Sequence, residues 1–78
     1  MAREQTIRIL AEMVANVIVV EVAVDDEVAA GDTVCLLESM KMEIPVLAEV
    51  GGVVSAIRVA TGDVVQEGDI LVELAVRR

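Results

Sequence analysis

Asp26-Glu27-Val28-Ala29-Ala30-Gly31-Asp32 and Asp63-Val64-Val65-Gln66-Glu67-Gly68-Asp69 are two copies of one pattern, Asp-x-Val-x-x-Gly-Asp, set 37 residues apart in a chain of 78. Working outward from them, residues 7–37 align with 44–74 without a gap, and 12 of the 31 positions are identical. A second shared run, Leu10-Ala11-Glu12 against Leu47-Ala48-Glu49, lies upstream. An internal duplication fixes the architecture before any single element does. Two copies are too few to stack as a solenoid. The expected solution is two interlocked halves, related by a pseudo-two-fold axis, that bury one shared core.

Those halves read as β structure. Valine dominates, and β-branched side chains suit a pleated surface. Residues 17–24, Val-Ile-Val-Val-Glu-Val-Ala-Val, show no helical spacing and no helix caps. Turn signals recur at Val24-Asp25-Asp26, Ala30-Gly31-Asp32, Gly51-Gly52, Thr61-Gly62-Asp63 and Glu67-Gly68-Asp69. Short strands between such turns predict an all-β sandwich or small barrel, a single domain over 1–78. Val17 and Val54 are out of step with Val20/Ile57 and Val22/Val59, which a period of two does not allow. A bulge is therefore expected near Ile18–Val19 and near Ser55–Ala56.

Composition removes most functions. The chain carries 14 Asp+Glu against 6 Lys+Arg, a formal net charge of −8. Phosphate backbones and anionic lipid surfaces need the opposite sign, so neither nucleic acid nor membrane is an expected partner. There is no His, Phe, Tyr or Trp. That leaves no imidazole base or metal ligand and no stacking platform. A lone cysteine, Cys35, cannot close an internal disulfide, and the first residues lack a signal-peptide pattern. Together these fit a reducing, cytoplasmic setting. Cys35 itself, among Val34, Leu36 and Leu37, reads as a core residue.

Six residues join the copies: Glu38, Ser39, Met40, Lys41, Met42 and Glu43. Between strands expected at 33–38 and 43–47 they form a hairpin tip. Lys41 is the only lysine; the other five cations are arginines. Two large apolar side chains bracket it, which on an exposed turn suggests a contact surface. A lysine amine can be acylated, losing its charge and gaining a cargo. No side chain here is placed to activate it, so a separate enzyme would do the acylation. The plainer reading is a solvated turn lysine with two methionines packing the hairpin.

Leu36-Leu37-Glu38-Ser39-Met40-Lys41-Met42-Glu43 resembles the attachment motif of biotinyl domains, with its Met-Lys-Met core. Gly62-Asp63-x-Val65-x-x-Gly68-Asp69 is similar to the second-half signature of the biotinyl/lipoyl attachment family, and Asp26-x-Val28-x-x-Gly31-Asp32 to its first half. The resemblance covers about residues 7–75. It implies a flattened barrel-sandwich of two four-stranded antiparallel sheets, with the lysine on an exposed hairpin and both termini at the far end. It also implies a biotin carboxyl carrier. A biotin protein ligase would join biotin to Lys41 by an amide. The chain would then carry carboxybiotin between a biotin carboxylase and a carboxyltransferase, with no catalysis of its own. Met40, Met42, Glu38 and Ser39 carry over as the residues recognised around Lys41, Ser39 standing where alanine is commoner. Lipoyl domains on the same fold usually show Asp-Lys-Ala at the tip, which Met40-Lys41-Met42 does not match. An unmodified scaffold or adaptor is the reading from another class.

The first half departs from the family at two turns. Ala15 stands in place of a turn glycine, and Asp25 faces Gly62 in the repeat. Were those positions to need positive φ, Ala15 would be strained, Asn16 could take over, and Asp25 would be tolerated. The Gly-Asp pairs read as turn chemistry and not as a calcium loop, whose ligand spacing is absent. Arg58, Arg77 and Arg78 read as solvated charges. An acidic surface would steer brief encounters with more than one enzyme.

Overall fold

A computed structural model describes residues 4–77; Arg78, expected as a solvated charge, lies outside them. Eight strands follow one another: β1 (Glu4–Leu10), β2 (Ala15–Val20), β3 (Glu27–Val28), β4 (Thr33–Ser39), β5 (Met42–Leu47), β6 (Gly52–Ile57), β7 (Val64–Val65) and β8 (Ile70–Arg77). They form two four-stranded antiparallel sheets, ordered β1-β8-β6-β3 and β5-β4-β2-β7. Shifting by half the chain turns β1, β8, β6 and β3 into β5, β4, β2 and β7. Each sheet therefore takes two strands from each copy, and neither copy holds a complete sheet.

The core obeys the same symmetry. Ala11 pairs with Ala48, Val17 with Val54, Val28 with Val65, Val34 with Leu71, Cys35 with Val72 and Leu37 with Leu74, and all twelve are buried. Every side chain among them is aliphatic except Cys35, whose free thiol is fully buried. Burial, with a smaller contribution from the charge of Glu21, pushes that thiol from 9.0 up to about 11. The unfolded thiol ionises first, so this contribution to stability is whole below pH 9 and drains away as pH rises from 9 to about 11. A parallel Cys35→Ala series of urea melts should lack the alkaline loss; an identical loss in both proteins would place its origin elsewhere.

Both expected bulges are present. The β2–β4 register slips between Val17 and Val19, and the β6–β8 register between Val54 and Ala56. A second pair was not foreseen: slips between Thr33 and Cys35 in β4, and between Ile9 and Leu10 where β1 meets β8. These let the adjacent residues Val34-Cys35, and likewise Leu71-Val72, all be buried, which an unbroken period of two forbids.

Four turns share one design. In 23–26, 29–32, 60–63 and 66–69 the third residue has positive φ and the fourth is aspartate. That aspartate's N–H donates to the first residue's carbonyl at 3.0–3.1 Å. Its carboxylate accepts from the first residue's N–H at 2.8–2.9 Å. The Gly-Asp pairs are thus accounted for by their own backbones. Asp25 does take positive φ, at 79°, where its mate Gly62 has 94°. Ala15 and Asn16 do not, so the condition under which Ala15 would be strained is not met. The glycine matched to Ala15 is Gly52, and it serves close approach: a Cβ there would stand 2.8 Å from the Ala75 carbonyl oxygen.

The turns also lock the halves together. Gly31 donates to the Ala48 carbonyl and Ala48 to that of Asp32; Gly68 donates to Ala11 and Ala11 to Asp69. Arg58 is not simply solvated, because its Nε donates to Glu73 Oε2 at 2.8 Å. Arg77 is exposed, as expected.

Candidate functional site

The β4–β5 ladder runs without a break from Leu36↔Pro45 to Ser39↔Met42. Only Met40 and Lys41 remain to reverse the chain, a tighter tip than the six-residue connector suggested. Their φ values are 53° and 65°. Two central residues with positive φ define a type I′ turn, whose twist matches that of the flanking strands. Asparagine and glycine normally fill such a turn. A methionine and a lysine hold it at a steric cost of about 1–2 kcal/mol each. The surrounding ladder supplies the force that keeps them there.

Met40 is the most exposed large apolar side chain among the described residues. Met40 is 91% exposed and Met42 64%, so neither packs the hairpin. That removes the plainer reading of the methionines as packing residues. Lys41 is exposed, and the one ion pair among the described residues is Arg58–Glu73. The amine is therefore tied to neither Glu38 nor Glu43. Ser39 is half-buried at the base of the turn.

Glu38 and Glu43 face each other directly across the ladder, both exposed. Like charges so placed oppose sheet formation. Asn16 is the next partner of Glu38 on its other side, and Val64 lies beyond it on β7. The row Glu43-Glu38-Asn16-Val64 thus runs across the sheet one rung below the turn. Neither Asn16 nor Val64 was expected at the site from the sequence. Their signal is divergence between the copies: in the repeat alignment Asn16 is matched to Val53, and exposed Val64 to exposed Glu27.

The tip points away from Glu4 and Arg77, the ends of the described residues. β1 runs from Glu4 to Leu10, and the chain then crosses to β2, whose Asn16 sits beside Glu38. Glu4 pairs with Arg77 at the opposite end of a body 46 Å long and 17–19 Å across. No helix of the described residues is long and apolar enough to cross a membrane.

This geometry offers the chain's one side-chain amine on a strained, apolar-flanked turn. Met40→Asn should relieve the first left-handed position and raise the melting temperature by about 5 °C. An unchanged or lower value, measured by circular dichroism, would contradict the turn assignment.

Residues 8–74 match the model of a protein family described as "Biotin-requiring enzyme". The chain is 56% identical over 61 residues to the biotinylated protein TB7.3 homolog of Mycobacterium leprae, covering 78% of this chain and 86% of that protein. It is 44% identical over 64 residues to the biotin/lipoyl attachment protein of Bacillus subtilis, covering 82% and 88%. With the human mitochondrial propionyl-CoA carboxylase alpha chain it shares 40% over 72 residues, 91% of this chain but 10% of that one. Among solved structures, the urea carboxylase of Kluyveromyces lactis superposes with a TM-score of 0.84 at 33% identity, covering 90% of this chain and 6% of the enzyme. The chain thus spans about a tenth or less of the carboxylases that it resembles.

Proposed function

The chain belongs to the biotin/lipoyl attachment family, and from that premise we propose that it is a biotin carboxyl carrier, acylated at Lys41. One observation carries the reading: the sole lysine occupies the second position of the strained two-residue turn, without an ion pair among the described residues and flanked by the exposed Met40 and Met42. The residues present fit the group, because an amide at that amine removes one exposed charge and disturbs no packing. When attached, biotin supplies a ureido nitrogen able to take up and release a carboxyl group.

The chain's own residues present and orient that group. The type I′ turn fixes the lysine stem relative to the sheet, so the long side chain is the main freedom left. Met40 and Met42 give a biotin protein ligase, and later a biotin carboxylase and a carboxyltransferase, an adaptable apolar footing. Glu38, with Ser39 at the base of the turn, completes the surface that those enzymes read. The net charge of −8 would steer the carrier toward basic rims and let it leave again. With no histidine and no paired acid and base, the chain would contribute no catalysis itself. Its reduced, buried cysteine suits a cytoplasmic setting.

Intact mass after co-expression with a biotin ligase and biotin tests this, with Lys41→Arg as control. A gain of one biotinyl group by the parent alone is expected. No gain by a folded parent would sink the reading, and a gain of lipoyl from a lipoyl transferase would replace it with the lipoyl one.

A further inference from the structure

Three of the four sheet edges are guarded and one is not. β3 and β7 are two residues long, too short to template another strand. β5 carries Pro45 in mid-strand, opposite Leu36. Proline has no N–H, and an unbroken ladder accepts it only where that N–H would point off the sheet. β1 is seven residues long and has no proline, and at the position matched to Pro45 it has Arg8. The repeat therefore directs the Arg8 N–H off the sheet as well, where nothing in the described residues receives it.

That open edge borders a groove of about 950 Å³ between β1 and β5, which face each other across the pseudo-two-fold axis. Half-buried Ile7, Ile9, Ile44 and Val46 line it, with exposed Leu10 and Leu47 toward its ends. Exposed carboxylates outnumber its one cation, Arg8, three to one. Glu12 and Glu67 stand where β1 finishes, and Glu49 where β5 finishes.

We propose that this groove receives an extended, basic segment of a partner protein, added as a further strand to the β1 edge. Its centre would be apolar at alternate positions, as a strand laid on Ile7 and Ile9 requires. Its ends would carry lysine or arginine to meet Glu12, Glu67 and Glu49. A second copy of this chain would instead bring two charges of −8 together and set carboxylates against carboxylates. The site is distinct from the tip and independent of the carrier reading.

The probe is a capped nine-residue peptide of alternating valine and threonine with two lysines at each end. Added to the isotope-labelled protein, it should slow hydrogen exchange at alternate β1 amides, Arg8 among them, and bind more weakly as salt rises. Arg8→Pro copies the guard already present at residue 45 and should abolish binding. Replacing Glu12, Glu49 and Glu67 together by Gln, all exposed and so not needed for folding, should weaken binding about fivefold and flatten the salt dependence. No binding at millimolar peptide, protection at the tip instead of β1, equal affinity in the glutamine variant, or a dimer through this groove on sedimentation would each overturn the proposal.

Discussion

Lys41→Arg is expected to take up no biotin at all while melting at the same temperature as the parent. The two results separate chemistry from structure. Arginine keeps the positive charge and a stem of similar reach, and Lys41 makes no ion pair among the described residues that the change could break. Both side chains meet the same left-handed backbone at φ 65°, so the turn's strain is unchanged. What is lost is the nucleophile. A guanidinium stays protonated and delocalised at any accessible pH, whereas a lysine amine yields its proton to a base supplied by another enzyme. Because Lys41 is the only lysine, the control is unusually clean: no other side-chain amine can substitute for it. A biotinyl mass on the arginine variant would move the attachment elsewhere, to the chain's amino terminus first of all.

The largest loss of stability should come from Leu74→Ala. Leu74 has no exposed surface, and it lies between β1 and β6 in the middle of its sheet. Truncating a buried leucine costs about 2–5 kcal/mol. A domain of this size has roughly 4–12 kcal/mol in total, so the variant would lose a large share of its stability. The repeat sharpens the expectation. Leu37 is 2% exposed, between β2 and β5 in the other sheet, and Leu37→Ala should cost the same within about 1 kcal/mol. Urea denaturation of both variants checks it. A large difference between them would show that the two halves of the core are not energetically equivalent, whatever their geometry.

Much of this was legible in the sequence because the duplication wrote it twice. The bulges at Ile18 and Ser55 follow from valines that fall out of phase in both copies. The turn aspartates follow from a spacing that recurs. Asp25 stood out as the non-glycine that a left-handed position would accept. Lys41 stood out by being single and by sitting where the copies join. The rest depended on which residues meet across strands. Val34-Cys35 and Leu71-Val72 are adjacent apolar pairs, and nothing local says that both members point inward. Ala15 looked like a misplaced glycine because close approach and positive φ leave the same mark in a sequence. Only the backbone of Ala75, 23 residues from Gly52, distinguishes them. Glu38 facing Glu43 was within reach, since both flank the tip; Asn16 and Val64 beside them were not. Likewise Arg58 finds Glu73 only once β6 lies beside β8.

The interlocking of the halves has a consequence for how the protein is made. β8 is the last of the eight described strands to be synthesised, yet it is an inner strand, the shared neighbour of β1 and β6. A nascent chain still lacking residues 70–77 leaves those two strands without a common partner and half the core open to water. Loop closure across nearly the whole length must come before that core can form, which predicts slow folding for so short a chain. The tip hairpin precedes β8, but the sheets that hold its strain are complete only once residues 70–77 have been added. Truncated or damaged copies would therefore meet proteases with their edges bare, well before they could pass to an acylating enzyme as finished goods.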